Sequence, residues 1–320
     1  MYNDAHLSMG ATNNTRLGDC QNVPFYYSCN KDLVEGFSDH YLALAAPVVA
    51  YWAICLFFHY LDMSTWKWLE RYRIHESAEV TSRNRVSRLQ VIWAVIFQHI
   101  LQTILGLIVL GDDNGPAVNH SLKIDSIARF VRPILARGIL AEWTTPAVGP
   151  VSYFMYWWAI PFLQLVFGMF VIDTWQYTLH RWMHTNKWMY KHFHSWHHRL
   201  YVPYAFGALY NHPVEGFCLD SLGSVVAEIL AGMTVRQATL LFVVATFKTC
   251  DDHCGYRFPW DPLQFMTSNN ADYHDIHHQT VGIKHNFAQP FFIHWDVILG
   301  TRMTREEMDR RKYKKEQHSD

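Results

Sequence analysis

The stretch YLALAAPVVAYWAICLFFHYL occupies residues 41–61 and contains no charged side chain. As an α-helix rising about 1.5 Å per residue it is roughly 30 Å long, which matches the hydrocarbon core of a bilayer. Residues 91–110 (VIWAVIFQHILQTILGLIVL) and 152–172 (SYFMYWWAIPFLQLVFGMFVI) have the same uncharged, apolar character. These three stretches predict membrane-spanning helices, and therefore an all-α, multi-pass helical bundle.

A fourth apolar region, residues 217–247, is interrupted by Asp220, Glu228 and Arg236. We expect two helices there, arranged as a membrane hairpin. The composition agrees with a membrane protein, because 17% of the residues are charged where roughly 25% is usual for soluble domains. The net charge of -1 gives no reason to expect nucleic acid as a partner.

Basic residues between the first two spans predict the orientation of the chain. Residues 62–90 hold Lys67, Arg71, Arg73, Arg83, Arg85 and Arg88, and the positive-inside rule places such a loop in the cytosol. The predicted organisation in chain order is a lumenal N-terminal segment (1–40), transmembrane helices (41–172), a cytosolic histidine-rich catalytic cap that includes the hairpin (173–302) and a basic cytosolic tail (303–320).

The six cysteines are too few for a disulfide framework in a chain of 320 residues. Cys20 and Cys29 both lie in the predicted lumenal segment and could pair there. Reduced thiols are the expected state at both positions.

Three motifs place histidines at helical spacing. They are His180-x-x-x-His184, His194-x-x-His197-His198 and His274-x-x-His277-His278. Positions i and i+4 share one face of an α-helix, so both imidazoles of the first box can reach one metal ion. Positions i, i+3 and i+4 also share a face, so one turn of each H-x-x-H-H box offers three nitrogens, and the spacing leaves open which histidine binds which ion. Eight imidazoles exceed the four ligands of a tetrahedral zinc site, so the boxes predict a site for two metal ions.

Further residues are candidates for completing this site. His212 and His253 are the leading additional ligands, and although Cys250 and Cys254 flank His253, no second Cys/His pair at zinc-finger spacing supports a finger there. Metal-bound imidazoles usually donate their other N–H group to a carboxylate or a carbonyl. The residues that we expect around the ligands are Asp173, Asp252, Asp275, His192 and His285.

Ligand type alone does not identify the metal, because imidazole suits iron, zinc, copper and nickel. A membrane enzyme with an apolar chamber suggests a lipid substrate, whose inert C–H bonds need activated oxygen and therefore a redox metal such as iron. No G-x-G-x-x-G motif for a nicotinamide or flavin is present, so we expect electrons from a separate protein. No catalytic residue is predicted beyond the metal centre itself.

The motifs together resemble the membrane fatty acid hydroxylase superfamily, which includes sterol desaturases and methyl oxidases, over roughly residues 165–302. Within it the chain resembles the sphinganine C4-hydroxylases, and the fungal ones in particular. The segments that carry this resemblance are AAPVVAYW (45–52), YRIH (72–75), VIDTWQY (171–177), LYVPYA (200–205), KTCDDHCG (248–255), YHDIHHQ (273–279) and NFAQPFF (286–292). Ile293-His294 departs from the family pattern, in which we expect an aromatic or apolar pair before Trp295.

The resemblance implies an enzyme of the endoplasmic reticulum membrane that hydroxylates C4 of sphinganine or dihydroceramide, giving phytosphingosine-type bases. It implies two non-haem iron ions, O2 as co-substrate, and electrons from NADPH through cytochrome b5 and its reductase. Box spacing leaves open a sterol C4-methyl oxidase, a sterol C5-desaturase or another fatty acid hydroxylase. A metal transporter and a zinc-dependent lipid hydrolase are the alternatives from other classes. Box spacing also leaves open whether the substrate is the free base or the ceramide.

Overall fold

The computed structural model describes residues 22–109, 118–136 and 145–317, and the regular elements in these ranges are helices, as predicted. The α-helices are α1 (Asp39–Met63), α2 (Lys67–Glu70), α3 (Ser77–Arg83), α4 (Arg88–Val109), α5 (His120–Leu135), α6 (Val148–Phe154), α7 (Ile160–Thr185), α8 (Lys187–Met189), α9 (Pro213–Gly216), α10 (Leu222–Ala231), α11 (Val235–Asp252), α12 (Pro262–Phe265), α13 (Ala271–His278), α14 (His294–Ile298) and α15 (Arg305–Gln317). Turns of π-helix cover Met155–Ala159, Tyr190–His194 and Phe217–Ser221, and 3-10 turns cover Thr145–Ala147, His197–Arg199 and Ala205–Leu209.

Three helical stretches are long and apolar enough to cross a membrane. They are Asp39–Met63, Arg88–Ile108 and Thr145–Thr185, with mean hydropathies of 2.0, 1.9 and 1.7. Many of their large apolar side chains face outward, such as Val49, which is 66% exposed, and Trp93, which is 63% exposed. Exposed apolar side chains on helices of this length suit contact with lipid better than contact with water. The three predicted spans therefore lie in helical stretches of the expected composition, and the third stretch is longer than expected, with 41 residues.

The region 217–247 forms two helices, α10 and α11, joined by a tight turn. Gly232 ends α10 with φ +59, a left-handed conformation that glycine adopts without steric cost. Thr234 then begins α11, because its hydroxyl accepts the Gln237 N–H in a capping box. Neither α10 nor α11 is among the described helices that are long and apolar enough to cross a membrane, so the hairpin's place in the membrane stays a prediction.

Contacts divide the described chain into two units. The first contains residues 22–39, 118–136 and 145–164. In this unit the ring of His120 bonds the Tyr156 hydroxyl through Nδ1 at 2.7 Å and the Tyr27 hydroxyl through Nε2 at 2.8 Å. Cys29 is disulfide-bonded, so the expectation of a reduced thiol was wrong at this position, whereas Cys20 lies outside the described residues.

The second unit contains residues 40–109 and 165–317, and its core joins the first two spans to the histidine-rich region. Tyr51 of α1 is fully buried, and its hydroxyl donates to the Phe206 carbonyl oxygen at 2.7 Å. Leu69, Val95 and Leu200 belong to the same buried cluster. The segments that carry the histidine boxes therefore rest on a packed apolar core.

Asp296 organises the segment between the last histidine box and the C-terminal helix. It is 0% exposed, and its carboxylate accepts the N–H groups of Phe287 at 3.0 Å and Ala288 at 2.7 Å. It also accepts the hydroxyls of Tyr273 at 2.8 Å and Thr301 at 2.6 Å. A buried carboxylate with four donors ties the backbone at Phe287 and Ala288 to helix α14, in which Asp296 lies.

Asp296→Ala should destabilise the protein severely, because it leaves the buried N–H groups of Phe287 and Ala288 without an acceptor. We expect the free energy of unfolding to fall by roughly 3–5 kcal/mol. Denaturant or thermal unfolding in detergent measures this loss. Asp309→Ala, at an exposed position of α15, is the matched control and should change stability by less than about 0.5 kcal/mol. Equal stability of the two variants would contradict the role of Asp296.

Candidate metal centre

Buried histidines gather into two adjacent groups in the second unit. Within each group the nitrogen atoms that could hold a metal all lie within 4.8 Å of one another. Group A, as we name it, consists of His180, His184, His194, His198 and His277, and group B consists of His197, His253, His274 and His278. The rings of His198 in group A and His278 in group B have centroids 4.9 Å apart. The described part of the chain thus contains two neighbouring sites, each able to hold an ion.

Each H-x-x-H-H box is divided between the two groups. In α13, His274 and His278 belong to group B while His277 belongs to group A. Successive residues of an α-helix are about 100° apart, so positions i and i+4 are much closer in direction than positions i+3 and i+4. The three nitrogens that one turn offers therefore do not all belong to one group. Instead, each box bridges the two sites.

The second box also departs from the regular helix that its spacing indicates. His194 ends the π turn Tyr190–His194, and His197 begins a 3-10 turn. As in α13, the residues at i and i+4, His194 and His198, belong to group A and the residue at i+3, His197, belongs to group B, although the helix type changes here. Turns of π-helix occur often at functional sites, where they re-aim side chains.

Backbone carbonyls hold most of these rings by Nδ1. His180 bonds the Phe287 oxygen at 2.8 Å, and His277 bonds the His285 oxygen at 2.7 Å. The remaining pairs are His253 with Thr249 at 2.8 Å, His278 with Leu200 at 2.7 Å and His197 with Tyr210 at 3.3 Å. A carbonyl oxygen only accepts, so Nδ1 carries the proton and Nε2 keeps a free lone pair in each of these rings.

The Nε2 atoms crowd together inside each group. In group A, Nε2 of His194 lies 3.1 Å from that of His180 and 3.0 Å from that of His198. In group B, Nε2 of His274 lies 3.0 Å from those of His253 and His278. Two ligand nitrogens about 2.1 Å from one ion and at right angles to each other are roughly 3.0 Å apart.

A cation relieves the repulsion that this arrangement creates. The Nδ1 bond of His180 leaves its lone pair on Nε2, and that lone pair faces Nε2 of His194. Nδ1 of His194 is in turn held by the carboxylate of Glu215, so its lone pair is also on Nε2. Nε2 of His277 is buried and has no hydrogen-bond partner among the described residues. Inward lone pairs at these spacings, and an unpartnered buried ring nitrogen, are what a metal ion satisfies. The donor set therefore fits metal ions.

Burial also keeps the rings neutral. It lowers the pKa of His194 to about 3, of His253 to about 3 and of His197 to about 4. Neutral imidazole is the form that binds a metal, because protonation removes the lone pair. These rings are therefore ready to act as ligands at physiological pH.

Glu215 lies beside the histidine groups and was not among the residues predicted from the sequence. Its Oε1 lies 2.5 Å from Nδ1 of His194, and burial raises the pKa of this carboxyl to about 7. A carboxylate on the far nitrogen of a ligating imidazole is a common arrangement in metal proteins. The sequence held a signal, since residues 174–214 contain no Asp or Glu and Glu215 is the first acid after this histidine-rich stretch.

The acids expected around the ligands make other contacts. Asp173 accepts the N–H groups of Phe291 and Phe292 at 3.0 and 2.6 Å, so the Phe287 carbonyl, not Asp173, holds His180. Asp252 pairs with the buried Lys248. Asp173 therefore holds the backbone at Phe291 and Phe292, Asp252 holds side chains, and neither carboxylate holds a ring of the two groups.

Asp275 and the two expected outer histidines also differ from the expectation. Asp275 pairs with His75 and Arg305, both at 2.7 Å. His285 touches His277 through its backbone carbonyl and not through its ring, and His192 is exposed with Nδ1 on the Trp188 carbonyl.

His212 lies outside both groups, unlike His253. Its Nδ1 accepts the Val214 N–H at 3.2 Å, which caps the short helix α9. Its ring packs against Phe193 and Trp196, with centroids 4.9 and 5.0 Å apart. We therefore place His253 in the proposed ligand set and leave His212 out of it.

Comparison with known proteins agrees with this geometry. The fatty acid hydroxylase family model matches residues 165–301. Sphingolipid C4-hydroxylase SUR2 of Saccharomyces cerevisiae is 48% identical over 85% of this chain and 74% of its own length. Sphinganine C4-monooxygenase 1 of Arabidopsis thaliana is 41% identical over 85% of this chain and 91% of its own length. Very-long-chain aldehyde decarbonylase GL1-9 of Oryza sativa subsp. indica is 39% identical over 84% of this chain and 91% of its own length.

No solved structure matches the chain significantly. The family match covers both H-x-x-H-H boxes, His253 and the loop fixed by Asp296. The relatives extend the similarity across most of the chain. The chain belongs to the fatty acid hydroxylase family.

Proposed function

We propose that this protein is a sphinganine C4-monooxygenase that adds a hydroxyl group to C4 of sphinganine or dihydroceramide. The observation that carries the proposal is the pair of histidine groups with inward Nε2 atoms in a chain related to sphingolipid C4-hydroxylases. A hydroxyl group added at C4 gives the phytosphingosine type of base.

Iron is the metal that we assign to the two groups. Group A offers five imidazoles, one more than a tetrahedral zinc site takes. The donors are all nitrogen, and the 3.0–3.1 Å spacings between them suit ligands at right angles better than the wider angles of a tetrahedron. Attack on an unactivated lipid C–H bond also requires a redox metal.

Iron in these groups supplies the activation of O2 that lets an inert C–H bond be hydroxylated. The protein's own part is positional. The carbonyls of Phe287, Thr249 and Leu200 hold three of the rings in one orientation, and the burial of both groups keeps bulk water away. No acid–base residue needs to act on the substrate carbon.

Electrons must come from outside the chain, because one hydroxylation consumes O2, two electrons and two protons and releases water. We assign them to NADPH through cytochrome b5 and its reductase. Residues 174–214 contain four basic residues and no acid, and two of them, Lys187 and Lys191, are exposed beside the second box. Positive charge at this place suits the approach of a negatively charged electron donor.

The endoplasmic reticulum membrane is the proposed location, with the histidine groups on the cytosolic side. Three apolar helices support a membrane protein. The disulfide at Cys29 supports a lumenal N-terminal segment, since disulfides persist in oxidising compartments. The basic residues of 62–90 support a cytosolic loop after the first span.

An aldehyde decarbonylase is the second candidate, because the rice relative carries that name. The product analysis described below would also reveal a sterol C4-methyl oxidase, a sterol C5-desaturase or another fatty acid hydroxylase. A transporter is disfavoured by ring nitrogens that are buried and fixed by carbonyls, since a transported ion must be released.

His253→Ala should strip metal from group B, whereas His212→Ala should leave the metal content unchanged. The first variant removes a buried nitrogen that lies 3.0 Å from Nε2 of His274, and the second removes a helix cap. We expect metal affinity to fall more than about tenfold in His253→Ala. Elemental analysis after dialysis against a chelator measures both. Loss of metal in His212→Ala together with full retention in His253→Ala would refute the proposed ligand set.

Expression in cells that lack their own C4-hydroxylase should restore phytosphingosine-type bases, and their new oxygen should come from O2. Mass spectrometry of lipids from cells grown under 18O2 shows a product two mass units heavier than under 16O2. His197→Ala, with one group B ring removed, is the matched inactive control. An alkane one carbon shorter than a supplied aldehyde, and no C4-hydroxylated base, would favour the decarbonylase instead.

A further inference from the structure

An open cavity of about 550 Å³ lies between the loop of residues 62–90 and the segment that follows the second histidine box. Its walls include Met63, the last residue of α1, and Arg88, the first residue of α4. This loop cavity, as we name it, therefore lies where the first two membrane-spanning helices meet the loop that joins them. Its volume is in the range of small-molecule sites, and no histidine of group A or group B lines it.

Positive charge dominates the walls of the loop cavity. Three arginines, Arg73, Arg85 and Arg88, line it together with one carboxylate, Asp62. Asp62 accepts from Arg73 at 3.3 Å and from Arg88 at 3.1 Å, and Arg73 also pairs with Glu70 outside the cavity at 3.0 Å. Arg85 is exposed and has no carboxylate partner among the described residues. Its guanidinium group is therefore available to an anion.

Tyr204 is a second sign, independent of charge, that a ligand belongs in this cavity. It lines the cavity and is 4% exposed, yet its hydroxyl has no hydrogen-bond partner among the described residues. Burial raises the pKa of this hydroxyl, and its charged neighbours Arg88 and Asp62 shift that pKa in opposite directions, so the hydroxyl lies beside these two residues of the wall. A buried hydroxyl without a partner is costly, and an acceptor atom in the cavity would satisfy it.

Aromatic residues mark the level of the membrane surface beside the cavity. Tyr60, Trp66 and Trp68 lie within a few residues of Met63 and are all exposed, and the indole rings of the two tryptophans stack with centroids 6.0 Å apart. Tryptophan and tyrosine collect at the level of the lipid head groups in membrane proteins. The guanidinium groups of the loop cavity are therefore within reach of the phosphates of surrounding lipids.

We propose that the loop cavity binds the head-group phosphate of an anionic membrane phospholipid with a hydroxylated head group, of the phosphatidylinositol type. Arg85 and Arg88 pair with the phosphate oxygens, because a guanidinium group matches their geometry, and Tyr204 donates its hydroxyl. The hydroxyl-bearing side chains of Ser77 and Thr81 line the remaining volume. Basic pockets between spanning helices bind anionic head groups in this way, and such lipids collect on the cytosolic side, where we place this loop.

Two features favour a membrane lipid over other ligands. Met63 and Leu89 are exposed apolar residues next to the arginines, and they offer contact to acyl chains that a soluble phosphate ester lacks. The three guanidinium groups repel the ammonium group of a long-chain base, so this site is separate from that of the proposed substrate.

Arg85→Gln and Tyr204→Phe test the proposal, with Lys67→Gln as the matched control at an exposed basic residue of the same loop outside the cavity. The measurement is equilibrium binding of short-chain phosphatidylinositol, short-chain phosphatidylcholine and inositol 1-phosphate to the purified full chain in a neutral detergent. We expect the wild type to bind phosphatidylinositol at least about tenfold more tightly than the other two probes. Arg85→Gln should weaken that binding at least about tenfold, Tyr204→Phe at least about threefold, and Lys67→Gln less than about twofold.

Four results would overturn the proposal. Equal binding of the two lipids would show that acyl chains alone are recognised, and inositol 1-phosphate bound as tightly as the lipid would make this a site for soluble phosphate esters. An equal loss in Arg85→Gln and Lys67→Gln would indicate the diffuse charge of the loop. Unchanged binding in both cavity variants would place the lipid elsewhere. Because the readout is binding, the result does not depend on whether the protein hydroxylates sphinganine.

Discussion

The Nδ1 bonds of the grouped histidines are the interaction on which the rest of the site depends. Five rings bond a backbone carbonyl through Nδ1 and a sixth, His194, bonds the Glu215 carboxylate. Each of the five carbonyl bonds fixes the tautomer, so the free lone pair of those rings is on Nε2. Without a cation the Nε2 lone pairs of His253 and His197 oppose each other at 3.4 Å, and that of His180 faces Nε2 of His194 at 3.1 Å, so metal binding and folding are linked.

The positions of those carbonyls in turn depend on residues remote from the metals. Asp296 fixes the loop that presents the Phe287 oxygen to His180, and Asp173 fixes the following backbone at Phe291 and Phe292. Arg305 of the C-terminal helix holds Asp275, which lies between His274 and His277 on α13. The nine histidines alone would not form the metal site, because the orientation of their rings comes from these buried ionic and backbone contacts.

The sequence predicted the spans and the histidine clusters because both follow from local patterns. An uncharged run of 21 residues and an imidazole repeated at i+4 need no tertiary information. The division of each box between two groups follows from helical spacing as well, but the rings from other segments that complete each group were not predictable in this way, since they depend on packing. His253 and His212 look alike in sequence, and only packing separates the ring in group B from the helix cap.

The outer contacts were the hardest to predict, for a physical reason. A carboxylate one helical repeat from a histidine is a plausible partner, yet Asp173 and Asp252 pair with backbone N–H groups and with Lys248 because those donors would otherwise be buried unpaired. The carbonyls that hold the rings carry no signature in a sequence. Glu215 was the exception, since its isolation after an acid-free stretch marks it.

The metal stoichiometry of the purified wild-type chain tests the central claim most directly. Groups A and B, each with its own set of inward nitrogens, predict about two iron ions per chain by elemental analysis after anaerobic loading. One tightly bound ion per chain, or zinc that iron does not displace in an active preparation, would contradict a two-iron centre.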